Sequence, residues 1–158
     1  MKLERVTVVV DRGAGSGAPV TAPLLQVRHL TAWPTAVVRE AVRRDALTRW
    51  SASASALVRA ALAEAPAGPP FTRFLTGGPL VTVETGYPVH VAVPDLGVVI
   101  GSGLPAGTAV VAVVHGPLGV AYDALAAWLD EHGYSEAAPH WEVYLPDRTE
   151  VVVPYRVD

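Results

Sequence analysis

Most of this chain alternates apolar and polar positions, and in two stretches the apolar residues instead recur every three or four places. Alternation marks a strand with one buried face, and the longer spacing marks an amphipathic helix. Val6 to Val10, Leu24 to Leu30 and Thr35 to Val38 predict strands. Asp45 then offers an N-cap, and Leu47, Trp50, Ala54, Leu57, Val58, Ala61 and Leu62 fall on one helical face. Pro66-Ala67-Gly68-Pro69-Pro70 stops that helix. Phe71 to Leu75 and Leu80 to Glu84 read as a hairpin about Gly77-Gly78-Pro79, and Val89 to Val93 extends it or begins another strand.

The second half repeats the order. Val98 to Ile100 and Thr108 to His115 are strands, and Gly116-Pro117 opens a helix with Tyr122, Leu125, Trp128 and Leu129 on one face. Gly133 ends it at the position that favours a left-handed residue. Trp141 to Leu145 and Glu150 to Val157 close the chain. Thr35-Ala36-Val37-Val38 returns as Thr108-Ala109-Val110-Val111, and Phe71 to Leu75 corresponds to Trp141 to Leu145. The chain therefore reads as two copies of a strand-helix-strand-strand unit, about residues 24–93 and 98–158. A strand and a Gly/Ser/Pro linker over 1–23 precede them. The expected fold class is α+β, with one mostly antiparallel curved sheet, both helices on one face and a central groove. Sheet twist places that groove on the face away from the helices.

Strand parity singles out one acid. Trp141, Val143 and Leu145 share a face suited to the helix-covered core, which turns Glu142 and Tyr144 into the groove. Thr72 and Phe74 hold the matching positions of the first half, while Tyr122 and Tyr155 are further candidate walls. Trp33, in the Trp33-Pro34 turn, is a candidate for one end of the groove. A carboxylate ringed by π-faces suits a hydrophobic, often cationic small molecule. Each cation–π contact contributes about 0.5–2 kcal/mol, and the acid supplies counter-charge. The same groove would suit a hydrolase in which Glu142, with Tyr144, orients a water against an electrophile, and the residues do not separate these readings. Glu84 is read as facing water, and Asp123, Asp130 and Glu131 as the solvated face of the second helix.

Composition narrows the field. Of 158 residues, 51% are hydrophobic and 17% charged, below the roughly 25% usual for soluble domains, so a well-filled core is expected. Net charge is −3 and no basic run exceeds Arg43-Arg44, which argues against direct DNA binding. There is no cysteine, so disulfide and thiolate chemistry are excluded. The charged start lacks a signal-peptide pattern and no apolar run reaches about 18 residues, so the expectation is a cytoplasmic protein without a membrane partner. His29, His90, His115, His132 and His140 make no metal spacing, and no metal or other cofactor is expected. His132 suits a helix C-terminus, and His140 shares parity with Glu142, although Pro139 favours a loop there. Gly13, Gly15 and Gly17 follow a strand, but Pro19 and Pro23 oppose the helix that a dinucleotide site needs. Ser102, in Gly101-Ser102-Gly103, is no nucleophile elbow.

The run Thr108-Ala109-Val110-Val111, His115-Gly116-Pro117, Tyr122 to Gly133, Trp141-Glu142-Val143-Tyr144-Leu145, Glu150-Val151 and Val153-Pro154 resembles the GyrI-like small-molecule-binding domain. This is the effector-binding domain of MerR- and AraC-type bacterial regulators, also found alone. The resemblance covers about residues 24–158 and is most specific in the second half. It implies two strand-helix-strand-strand units about a pseudo-two-fold axis, binding hydrophobic, often cationic compounds. The acid of its E-x-Y strand, which falls on Glu142, faces the ligand. Some stand-alone members resemble hydrolases of cyclopropane-bearing genotoxins, and the name-giving member inhibits DNA gyrase. The chain departs from the pattern at Leu118, where an aromatic often follows Gly-Pro, and in a short stretch from Gly116 to Trp128. No helix-turn-helix precedes the domain, so the resemblance implies a stand-alone, multidrug-type binding protein that sequesters compounds or signals to a protein partner.

Overall fold

Strand pairing builds the molecule from its middle outward. The computed structural model describes residues 3–6 and 22–157. Beyond Val6, the expected strand at Val6 to Val10 lies outside the described residues, as does the linker up to residue 21. Strands β1 (Leu3–Val6) and β2 (Leu24–Leu30) pair antiparallel. The first unit is β3 (Trp33–Arg43), α1 (Leu47–Ala61), β4 (Phe71–Phe74) and β5 (Leu80–Pro88). After β6 (Ile100–Leu104) comes the second unit, β7 (Gly107–Val114) and α2 (Leu118–His132), then a short β8 (Tyr134–Glu136), β9 (Trp141–Tyr144) and β10 (Thr149–Val157). The sheet order is β1-β2-β7-β10-β9-β4-β5-β3-β6, and β8 pairs with β10 off this path. From the central β9–β4 seam outward, both sides run the same way: second strand, last strand and first strand of a unit.

Residues directly opposite across a ladder point to one face. One such row crosses six strands: Val38, Thr85, Thr72, Glu142, Val151 and Ala112. Val38 packs against Ala54 and Val58 of α1, and Ala112 and Val151 pack against Ala121, Leu125 and Trp128 of α2. Both helices therefore lie on one face, α1 over β3 and β5, α2 over β7 and β10. The opposite face carries a second core of Val37, Phe71 and Leu104 from one half with Ala109, Val111, Trp141 and Val152 from the other. The sheet curls around this core as a half-barrel.

The curl corrects the expected location of the groove. The helix-free face is filled by the protein's own side chains, and Trp141 lies in that filling rather than under a helix. Alternation along a strand distinguishes two faces without saying which one a helix covers. The repeated tetrapeptide is also out of register. Val38 corresponds to Ala112, so Val37 faces the half-barrel interior while the sequence-matched Val110 faces α2.

Asp45 is no cap. Arg44–Ala46 form a 3-10 turn, Ala46 is the N-cap of α1 with no side-chain hydrogen bond, and Asp45 pairs with Arg43 at 3.0 Å. Gly133 does end α2, with φ 67°, its N–H reaching the Leu129 and Asp130 carbonyls. Glu84, expected in water, is 2% exposed. Arg39 Nε donates to it at 2.9 Å and Ser102 Oγ at 3.1 Å. It sits on β5, an interior strand covered on both faces, where an acid requires partners.

Candidate functional site

Neither helix covers β4 and β9, and a cavity of about 1170 Å³ opens between α1 and α2 above this seam. Its floor is Thr72 and Phe74 from β4 with Glu142 and Tyr144 from β9. Tyr122 enters from α2, and Thr48, Ser51 and Ser55 from α1. The structure thus brings together five of the expected residues: Thr72, Phe74, Tyr122, Glu142 and Tyr144.

Glu142 is 7% exposed. The Tyr122 hydroxyl donates to its Oε2 at 2.5 Å and the Tyr144 hydroxyl to its Oε1 at 3.0 Å. Burial, and then the charge of Glu142, push the ionisation of both tyrosines far up, so both remain hydroxyl donors. Beside the acid, the Thr72 and Thr85 hydroxyls are 2.8 Å apart. Among the described residues, no Arg or His forms an ion pair with Glu142.

The aromatic wall contains one residue that the sequence left in a loop. His140 precedes β9, and its carbonyl accepts the Phe74 N–H at 3.1 Å, which fixes the ring in the cavity. It stacks on Phe74 at 5.2 Å, meets Tyr122 edge-on at 5.5 Å, and sets Nδ1 3.0 Å from Glu136 Oε1. Sequence reasoning also missed the α1 wall. The signal was present as hydroxyls at 48, 51 and 55, one helical stripe beside the apolar face.

Two expected residues lie elsewhere. Trp33 starts β3 opposite Leu104, its ring against Gly68, and is 39% exposed. Tyr155 shares the helix-side face with Val151 and Val153 but lies beneath α2, stacked on Tyr134 at 5.1 Å and edge-on to Trp128 at 5.2 Å. Each is displaced from the uncovered seam, Trp33 by its face and Tyr155 by the helix above it. Among the described residues, no group of three or more His, Asp or Glu could hold a metal ion, and no helix is long and apolar enough to cross a membrane.

The family model of the GyrI-like small-molecule-binding domain matches residues 74–156. No curated protein sequence matches the chain. Among solved structures, the C-terminal domain of EcmrR superposes with a TM-score of 0.71 at 18% identity, covering 87% of this chain and 100% of that one. Against EcmrR in its complex with DNA the TM-score is 0.74 at 18% identity; the match covers 87% of this chain but only 59% of the EcmrR chain. SAV2435 bound to tetraphenylphosphonium gives 0.59 at 10% identity, over 84% of this chain and 93% of that one. A hydrolase from Listeria innocua gives 0.59 at 14% identity, over 88% and 94%. At these identities the likeness is one of fold.

Proposed function

The chain belongs to the GyrI-like small-molecule-binding domain family, and from that premise we propose that it binds hydrophobic organic cations in the cavity between its two helices. Glu142 supplies the counter-charge, and Tyr144, Phe74, Tyr122 and Thr72 supply the surrounding surface. One observation carries the reading: Glu142 is buried at an aromatic-lined cavity, and among the described residues it is held by hydroxyl donors alone. Removing a carboxylate from water costs several kcal/mol, of which two neutral hydrogen bonds recover part. A cation with an apolar surface would supply the rest while filling the space. The tetraphenylphosphonium bound by SAV2435 has this chemistry.

The Listeria innocua hydrolase raises a second reading, in which Glu142 acts as base toward a water attacking an electrophile. Both oxygens of Glu142 already accept a tyrosine hydroxyl, at 2.5 and 3.0 Å. Those hydroxyls occupy the places from which the carboxylate would orient a water, so the geometry favours binding.

Calorimetric titration with tetraphenylphosphonium and its anionic isostere tetraphenylborate tests the proposal. Wild type binds the cation in preference to the anion, and Glu142→Gln loses about tenfold or more in cation affinity. Equal affinity of wild type for both ions refutes it. Turnover of a strained electrophile by wild type, absent in Glu142→Gln, would establish the hydrolase instead.

A further inference from the structure

The cavity is larger than the roughly 300–1,000 Å³ that drug-sized ligands occupy, so a compact cation seated on Glu142 leaves part of its 1170 Å³ unfilled. The remaining part has a different chemistry. Arg44 lines it from the turn before α1. Its Nε donates to the Gly78 carbonyl at 2.8 Å and its backbone N–H to that of Pro79 at 3.2 Å, which tethers the side chain at the cavity mouth. Asp45, its chain neighbour, pairs with Arg43, and Glu136, which lines the same cavity, with His140. Among the described residues, Arg44 forms no ion pair. Thr48, Ser51 and Ser55 face the cavity along the intervening α1 wall.

We infer that the ligand is an elongated zwitterion, its cationic head on Glu142 and an anionic group such as a carboxylate at Arg44. This rests on the reading of Glu142 given above. The spacing follows from strand register. Arg43 pairs with Leu80, five residues along β5 from Thr85, which stands in the row of Glu142. Five residues of strand span about 17 Å and the three ladders from β9 to β3 add about 14 Å across, so the two backbones stand roughly 20 Å apart; both side chains line the one cavity, which brings the two ligand charges to the order of 15 Å apart. A guanidinium binds a carboxylate through paired N–H donors, and the nitrogens other than the tethered Nε are the ones that would do so.

The test uses triphenylphosphonium cations carrying a carboxylate on a propyl, a hexyl or a decyl spacer, each paired with its methyl ester, titrated calorimetrically beside tetraphenylphosphonium. Arg44 is exposed, so the gain from the anion is modest: with the decyl spacer the acid binds about three- to fivefold tighter than the ester. With the propyl spacer the ratio is near one. Arg44→Gln brings the decyl ratio to one while tetraphenylphosphonium still binds, and Arg44→Lys retains part of the ratio. If tetraphenylphosphonium binds but the ratio is one at every spacer, or persists in Arg44→Gln, this inference is overturned and the reading of Glu142 stands. If tetraphenylphosphonium itself does not bind, both fall.

Discussion

Tyr122→Phe removes one hydroxyl and keeps the ring that meets His140 edge-on at 5.5 Å. The lost bond, 2.5 Å to Glu142 Oε2, is made to a charged group 7% exposed, and such bonds contribute about 1.5–3 kcal/mol. Tyr144 still holds the other oxygen at 3.0 Å, so the variant folds with stability lowered by about that amount, a fall in Tm of roughly 3–12 °C. Ligand affinity moves the other way. In the proposed complex a cation would neutralise the carboxylate directly, and the hydroxyl would contribute less there than in the free protein. If the cation replaces half of that contribution, binding tightens by about 0.7–1.5 kcal/mol, roughly 3- to 13-fold. Urea denaturation followed by circular dichroism gives the first quantity, and calorimetric titration with tetraphenylphosphonium the second. The alkaline limb supplies a third. The fold raises the ionisation of Tyr122, so its contribution is full below the ordinary tyrosine value of about 10 and is lost as pH rises through the higher folded value. Tyr122→Phe should soften that loss. A fall in cation affinity as large as that of Glu142→Gln would mean that the ligand contacts the hydroxyl and that the carboxylate is not its counter-charge.

Gly86→Ala should lose about 3 kcal/mol or more in a thermal melt, because a Cβ there would stand 1.9 Å from the Ala36 carbonyl oxygen and 2.9 Å from Val37 Cα, both backbone atoms. Gly77→Ala, with nothing within 4 Å, should stay within about 0.5 kcal/mol of wild type, and a comparable loss at both positions would remove the steric explanation. Glu150 accepts two bonds of 2.9 Å from Arg28, which hold its carboxyl below the usual range against the opposing effect of burial. The folded value being depressed, this pair stabilises the protein above the ordinary glutamate value of about 4.5, and that contribution is lost as pH falls through the lower folded value. Glu150→Gln should flatten the acid limb of a urea-midpoint profile, and an unchanged limb would place the acid sensitivity elsewhere.

Local pattern was sufficient for much of this protein. Apolar spacing located both helices, and Gly133 marked the end of α2 because only a residue tolerant of positive φ closes a helix in that way. Alternation in Trp141 to Tyr144 put Glu142 and Tyr144 on one face and Trp141 and Val143 on the other, since neighbouring side chains in a strand must diverge. These are near-neighbour effects, and a sequence states them directly.

What the sequence could not state is what lies above and below each face. The groove is on the helix side because α1 and α2 each cover only the outer strands of their own unit, leaving β4 and β9 open between them. Curling of the sheet filled the other face, buried Glu84 with Arg39 and left Trp33 away from the seam, while α2 covered Tyr155. Tyr122 is 20 residues from Glu142 and reaches it because the beginning of α2 lies beside β9. The shared Thr-Ala-Val-Val words proved one residue out of step, because register is set by hydrogen bonds to β5 and β10 and not by the strand's own letters. The sequence determined which residues share a face; only the packing of distant segments decided which face is empty, and an empty space is where a ligand binds.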